Sequence, residues 1–452
     1  MSLVNDREAQ RNTGMTTSLQ LMGKRRFAPL FVTQLLNALN DNLYKNAMVL
    51  FIVYQLYDSP EMETLVSGVA TALFVLPFVL FSATSGQLAD MRDKTKIIRW
   101  IKFAEIIIMA GGAAGLMLAA QGMMVESVAI PLMFAALFAM GVHSTFFGPI
   151  KYAILPQHLE DHEVLAGTGL VEAGTYVAIL TGMILAAVLS VGQSTVAVIV
   201  IALVGYAVCR FVPAAPAQSA DVTVEWHPIR ASKSLIAFSM RNLELRYAVL
   251  AISFFWAIAA ILGVQFFPLA KNVLLADKQV AMVMLVAFSA GIAIGSVAIN
   301  ALLKGEISAR HSPISVLVMG VLLIGFYLLC RTWNLKPAGE LFTVTEFLAQ
   351  PLALVMIANL LLIAVAGGMF VVPLYAFLTT RVEKSEASRS VAANNFISSV
   401  FMAVGAGVAG VLGFFGIPLA EQLLLSLALC LLSAQLARKL YRVETQRTSL
   451  AA

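Results

Sequence analysis

Charge is what this sequence lacks. Of its 452 residues only 12% are Asp, Glu, Lys or Arg, while 60% are apolar, and the mean hydropathy is +0.87. A chain whose surface faces water keeps roughly a quarter of its residues charged. Most of this surface therefore faces lipid. Cysteine is scarce as well: Cys209, Cys330 and Cys430 stand alone within apolar runs and show neither pairing nor metal-ligand spacing. No G-x-x-x-x-G-K-[ST] stretch is present, which excludes an ATP-driven pump. His158 and His162 stand four apart in an acidic loop without a third ligand, so no metal and no other cofactor is expected. The net charge of +5 does not point to nucleic acid, because the cations sit in short segments between apolar runs rather than on one face.

What is present is a series of long apolar runs. A bilayer core needs roughly 20 helical residues to cross it. Punctuation by charge, Pro and Gly predicts spans at about 28–57, 65–88, 97–120, 128–150, 164–190 and 194–213. A second set follows at about 246–270, 279–303, 313–332, 351–380, 390–414 and 418–440. The first run follows Lys24, Arg25 and Arg26 and is too long for a cleaved signal, so it reads as the first span. The organisation expected is an N-terminal tail (1–27), a six-helix bundle (28–213), a polar linker (214–245), a second six-helix bundle (246–440) and a tail (441–452). Lys and Arg are retained on the cytoplasmic side. With both termini inside, all of the 30 Lys and Arg fall in or at the edge of cytoplasmic segments, except Lys271, Lys278, Arg331, Lys336 and the intramembrane Lys45.

The two sets echo each other. FFGPIKYAILP (146–156) closes the fourth span and FVVPLYAFLTT (370–380) the tenth, with Pro149 and Pro373 in matching places roughly half a chain apart. A parallel six-plus-six repeat of this kind is the architecture of the major facilitator transporters. The loop after span two, GQLADMRDKTK (86–96), resembles that superfamily's loop signature through Gly86, Leu88, Ala89, Asp90 and Lys94, and departs from it at Met91, Arg92 and Asp93. Physically, Gly86 permits close helix approach, and Asp90 can face the positive N-terminal end of a helix in the other half. Arg92 and Lys94 supply charge around Asp90. Such contacts form in one conformation and break in another, which makes these four residues a candidate gate. The fold expected is all-α, polytopic, with 12 transmembrane helices in two pseudo-repeats.

Span one carries the candidate binding surface. At 100° per residue, Gln34, Asn37, Asn40, Asp41, Tyr44 and Lys45 fall within an arc of roughly 140°, opposite a leucine face. Charge in lipid is expensive, so this stripe is expected to face a wet cavity or the bundle interior. Asp41 and Lys45, four apart, could also neutralise each other. Glu172 in span five and Glu105 in span three are further intramembrane acids, and Lys102 lies one turn from Glu105 as its ready partner. Asn394 and Asn395 open span eleven and could bind a headgroup or bond across helices.

The stretches QLLNALNDNLYKNAMVL (34–50), FFGPIKYAIL (146–155), GLVEAGTYVAIL (169–180), GGMFVVPLYAFL (367–378) and VAANNF (391–396) together resemble the bacterial lysophospholipid transporter family. The resemblance runs from about residue 27 to 440. It implies movement of lysophosphatidylethanolamine-type lipids from the outer to the inner leaflet of the inner membrane, with no enzymatic step. There a separate acyltransferase and acyl-carrier-protein synthetase would re-acylate them. It also implies a monomer, and carries functional weight onto Asp41, Lys151, Tyr152 and Glu172. A zwitterionic head needs an anion for its ammonium and a cation for its phosphate, which Asp41 with Lys45 or Lys151 would provide. The alternative is a proton-coupled exporter of amphipathic solutes. Such antiporters usually carry G-P-x-x-G-G in span five, where this chain has GTGLVEAGTYVAILTGM without proline.

Overall fold

The computed structural model describes residues 18, 20–57, 60–218, 224–337, 339 and 341–451. Each apolar run becomes one long helix, because backbone groups in lipid have no water to bond and must be satisfied within their own segment. The first six are α1 (Ala28–Phe51, prolonged by a π-helical stretch over Ile52–Tyr57), α2 (Pro60–Met91), α3 (Lys94–Ala120), α4 (Ile130–Ala153), α5 (Asp161–Val188) and α6 (Val191–Cys209). A further helix, α7 (Pro228–Arg241), precedes α8 (Leu243–Asn272), α9 (Lys278–Leu303) and α10 (Ser312–Thr332). The set ends with α11 (Pro351–Thr380), α12 (Ala387–Phe414) and α13 (Leu419–Ala451). Among the described residues the only β-pairing is an isolated bridge between Ala276 and Phe342.

Polar side chains fix where the helices start. Asp93 accepts from Thr95 N (2.8 Å) to cap α3, Asn242 accepts from Glu244 N (2.9 Å) to cap α8, and Asp277 accepts from Gln279 N (3.0 Å) to cap α9. Each satisfies a donor that the first helical turn leaves without an intrahelical partner.

Eleven of these helices are long and apolar enough to cross a membrane. The twelfth span is α1, whose hydropathy is diluted by its buried polar stripe. The twelve-helix expectation is therefore borne out, and the chain is a multi-pass membrane protein.

The halves are built alike. In the first, α1 packs on α5 and α6, α4 on α2 and α3, and α3 on α6. In the second, α8 packs on α12 and α13, α11 on α9 and α10, and α10 on α13. These are the same five pairings. The halves meet along two seams, α2 with α12 and α5 with α9, which are themselves exchanged by the pseudo-symmetry. Small residues make the seams close. A Cβ on Gly86 would lie 2.5 Å from that of Ala392 in α12, and one on Gly169 would collide with the Ser296 carbonyl in α9. Any larger side chain at either place would push the halves apart.

The segment 214–245, read from sequence as a polar linker, contains α7. Its buried residues Ala231, Leu235 and Ser239 recur every fourth position. With Arg230, Lys233 and Arg241 between them, its apolar signal stays far below the length of a span.

Candidate functional site

A cavity of about 300 Å³ lies between the halves. From α1 it is lined by Gln34, Asn37, Asp41 and Lys45, from α4 by Ser144, Lys151 and Tyr152, and from α5 by Glu172. The second half contributes Trp256 of α8, Tyr375 of α11, and Asn395 and Ser398 of α12. Phe74 and Phe78 of α2 and Met402 of α12 make much of the remaining wall apolar.

Asp41 is held, not free. One carboxylate oxygen accepts from Ser144 Oγ at 2.5 Å and from Asn37 Nδ2 at 3.3 Å, and the other has no hydrogen-bond partner. That second oxygen is buried and unpartnered. Lys45 does not pair with it in a salt bridge. The Lys45 ammonium instead sits 5.7 Å from the centroid of the Phe74 ring, a cation–π placement available because α2 presents an aromatic face there.

The polar stripe of α1 is wider than the cavity, and this corrects two expectations. Asn40 and Tyr44 lie at one edge of the arc and turn away. Asn40 Nδ2 donates to Glu105 Oε1 at 2.8 Å, and Tyr44 donates to the Met133 carbonyl at 3.0 Å while its ring fills the space left by Gly112. Neither lines the cavity. Glu105 itself is in an ion pair with Lys102, with His143 Nε2 at 3.6 Å. This buried knot binds α1, α3 and α4 together, and Lys102 lays its tail against Gly205 of α6.

Asn394 is a third correction. It is fully buried but not part of the cavity lining, whereas Asn395 is. Adjacent residues on a helix point about 100° apart, and the rotation of α12 turns Asn395 toward the cavity and Asn394 into the packing behind it.

One end of the cavity is closed by an aromatic layer. The rings of Tyr152 and Tyr375 stack at 4.6 Å and 15°. The Tyr152 hydroxyl donates to the Glu172 carboxylate, and Trp256 Nε1 donates to the Tyr375 hydroxyl at 2.8 Å. Lys151 places its ammonium 4.7 Å from the centroid of the Tyr152 ring, and Gln34 Nε2 donates to the Lys151 carbonyl at 3.0 Å. Trp256 and Tyr375 were missed from sequence. For Tyr375 a signal existed: it stands two residues after Pro373, as Lys151 stands two after Pro149.

Beyond this layer lies the end of the bundle where Lys and Arg concentrate, the basic end. Here Asp90 accepts from Ser388 N (2.9 Å) and Arg389 N (3.0 Å), the first-turn amides of α12 in the opposite half. Gly86, one turn before, has no room for a side chain: an added Cβ would lie 3.2 Å from the Arg389 Cα. Lys94 is buried near enough to act on the Asp90 charge. Arg92 is exposed and makes no salt bridge among the described residues, so it does not pair around Asp90. On the same end Arg26 bridges to Glu163 of α5 at 2.7 Å. The loop histidines diverge: His158 Nε2 lies 3.3 Å from the Ala214 carbonyl and burial lowers its pKa, while His162 Nδ1 lies 3.8 Å from Glu160.

Both the sequence and the fold have counterparts among known proteins. The lysophospholipid transporter LplT of Escherichia coli O1:K1 is 26% identical over 397 residues, covering 86% of this chain and 89% of the relative. LplT of the K12 strain is similar to the same extent. The resemblance drawn from the sequence is thus borne out. Among solved structures, a bacterial homologue of the iron transporter ferroportin, in its outward-facing state, superposes with a TM-score of 0.71 at 12% identity. It covers 92% of this chain and 99% of its own. A human organic anion transporter gives a TM-score of 0.68 at 14% identity, covering 91% and 99%. At such identities the likeness is of fold alone. The sequence profile of the Major Facilitator Superfamily matches residues 30–339, and the chain belongs to that superfamily.

Proposed function

We propose that the protein transports lysophospholipids of the lysophosphatidylethanolamine type from the outer to the inner leaflet of a bacterial cytoplasmic membrane, by alternating access and without ATP. The observation that carries this reading is a cavity that offers both charges in an otherwise largely apolar wall: Asp41 and Glu172 beside Lys45 and Lys151. An ethanolamine ammonium meets the unpartnered oxygen of Asp41, and the phosphate meets Lys45 or Lys151. At about 300 Å³ the cavity stands at the small end of ligand sites. It suits a headgroup and leaves the acyl chain to lie in lipid between spans. Similarity to LplT over most of the chain points to the same class of cargo.

The basic end is the cytoplasmic end in this reading, since Lys and Arg are retained there. Both termini then face the cytoplasm, and the state described, with that end closed, receives its cargo from the outer leaflet. Delivered lipid is re-acylated by a separate acyltransferase and acyl-carrier-protein synthetase, and the transporter works as a monomer. Asp90 with Gly86 and Lys94 forms the gate that must open to deliver.

The runner-up, a proton-coupled exporter, needs an acid that faces the pathway and exchanges its proton. Glu105 does not serve, because Lys102 and Asn40 occupy it away from the cavity. A zwitterionic lipid does no work against the membrane potential, which costs about 2.3 kcal/mol per charge per 100 mV. Removal by acylation keeps inward flow downhill. In proteoliposomes carrying labelled lysophosphatidylethanolamine in one leaflet, transfer is expected to persist when pH and voltage gradients are both collapsed. Transfer abolished by an ionophore and restored by a proton gradient alone would overturn the uncoupled mechanism and make Glu172 the leading proton site.

A further inference from the structure

The segment after α6 is not a slack tether. Ala215 accepts from Lys94 N at 2.9 Å, Gln218 N donates to the Asp90 carbonyl at 3.1 Å, and Glu225 N donates to Gln87 Oε1 at 2.9 Å. Three bonds thus run along the gate end of the first half. The chain then turns into α7, whose buried residues Ala231 and Leu235 pack on Ala83 of α2 and on Ala392 and Ala393 of α12. Phe238 lies under the Arg389 guanidinium, 5.6 Å away. Helix α7 therefore grips both halves at once, beside the Gly86–Ala392 contact. Opening the basic end would pull the two sides of its seat apart.

The opposite face of α7 is uncovered. Trp226 is 68% exposed, Ile229 62% and Ile236 39%. On a helical wheel Ile229 and Ile236 fall close together, opposite Ala231, and Arg230, Lys233 and Arg241 occupy the neighbouring sector. All three cations are exposed. Arg230 shares its charge with Glu225 at 3.5 Å, and Lys233 and Arg241 make no salt bridge among the described residues. Depth decides what this face meets. Ala83 lies eight residues, about 12 Å, inside the end of α2, so α7 packs alongside the end of a spanning helix and not beyond it. Apolar side chains flanked by cations at an interface are the pattern of a helix lying in a charged bilayer surface.

We propose that α7 is a latch that binds anionic lipid: the headgroups engage Arg230, Lys233 and Arg241, Trp226, Ile229 and Ile236 enter the acyl boundary, and the bound lipid holds the basic end closed. The anionic lipids of the surrounding leaflet thereby set how often the gate opens, whatever the cargo. The inference goes beyond the transport reading: it rests on the gate of that reading and not on its cargo.

The test uses the full chain with spin labels at exposed Lys96 and Lys384, on either side of the gate. The protein is reconstituted into phosphatidylcholine vesicles with or without phosphatidylglycerol. Phosphatidylglycerol is expected to raise the closed-to-open ratio at least about threefold, and high salt to erase the gain, since exposed charges are screened within about 3 Å at 1 M. Arg230→Gln, Lys233→Gln and Arg241→Gln combined should keep the distribution found in neutral vesicles and lose the response to phosphatidylglycerol. Absence of a response in the unsubstituted chain sinks the proposal without recourse to any variant. So does an undiminished response in the triple variant. A gain from soluble polyglutamate but none from phosphatidylglycerol would also overturn it, and would assign the face to an acidic protein.

Discussion

Asp41 on α1 and Glu105 on α3 are both carboxylates within membrane-spanning helices, and their surroundings differ. Asp41 leaves one oxygen unpartnered, while Glu105 gives both to the protein through Lys102 and Asn40. Their substitutions should therefore fail in different ways. Asp41→Asn retains shape and most of the bonding to Ser144 and Asn37, so the protein should fold and express normally. It loses a charged acceptor worth about 1.5–3 kcal/mol to an ammonium donor. Transport of lysophosphatidylethanolamine should drop roughly 10- to 100-fold in apparent affinity, with lysophosphatidylglycerol, which lacks the ammonium, much less affected. Equal losses for both lipids would remove Asp41 from the headgroup site. Glu105→Ala leaves Lys102 buried and unpaired, a defect of about 3–5 kcal/mol. Its signature should be lost thermal stability in detergent before any change in lipid preference.

At the scale of elements, the proposed gate is a helix end against a carboxylate. The Asp90 side chain satisfies two amides of α12 that the helix cannot satisfy itself, and it sits at the positive end of that helix dipole. Asp90→Ala should cost the closed state about 1–2 kcal/mol. Distance distributions across the basic end should then show the open form gaining roughly tenfold or somewhat more. Gly86→Leu should do the same by steric means, since even a Cβ there lies 2.5 Å from Ala392. An unchanged distribution in both variants would leave the loop without a gating role. Much of this was legible in the sequence, because the Gly-to-Asp spacing is local and its partner, a helix N-terminus, is generic. Arg92 was not: a basic residue in a loop pairs only if the fold brings an acid within reach, and here it faces outward. The linker helix was equally hidden, because a short amphipathic helix with three cations gives no span signal.

For the whole molecule, sidedness sets the direction of transport. The native cysteines Cys209, Cys330 and Cys430 are all buried, so single reporter cysteines at exposed Lys96 and Lys336 should label independently of them. In sealed inverted vesicles an impermeant thiol reagent should reach Lys96→Cys and not Lys336→Cys. The reverse result would invert the topology and with it the direction assigned to transport. Sequence by itself determined the number of spans, the division into two six-helix halves and the superfamily, because hydropathy, charge placement and a repeated Pro are properties of local composition. It also determined that α1 must face something polar. What only the tertiary structure decided is which polar residues face the cavity. Asp41, Lys45 and Asn395 do, while Asn40, Tyr44 and Asn394 pack inside the bundle. The reason is geometric: a helix's rotation about its axis is set by its neighbours on every side at once, and those neighbours lie far away along the chain.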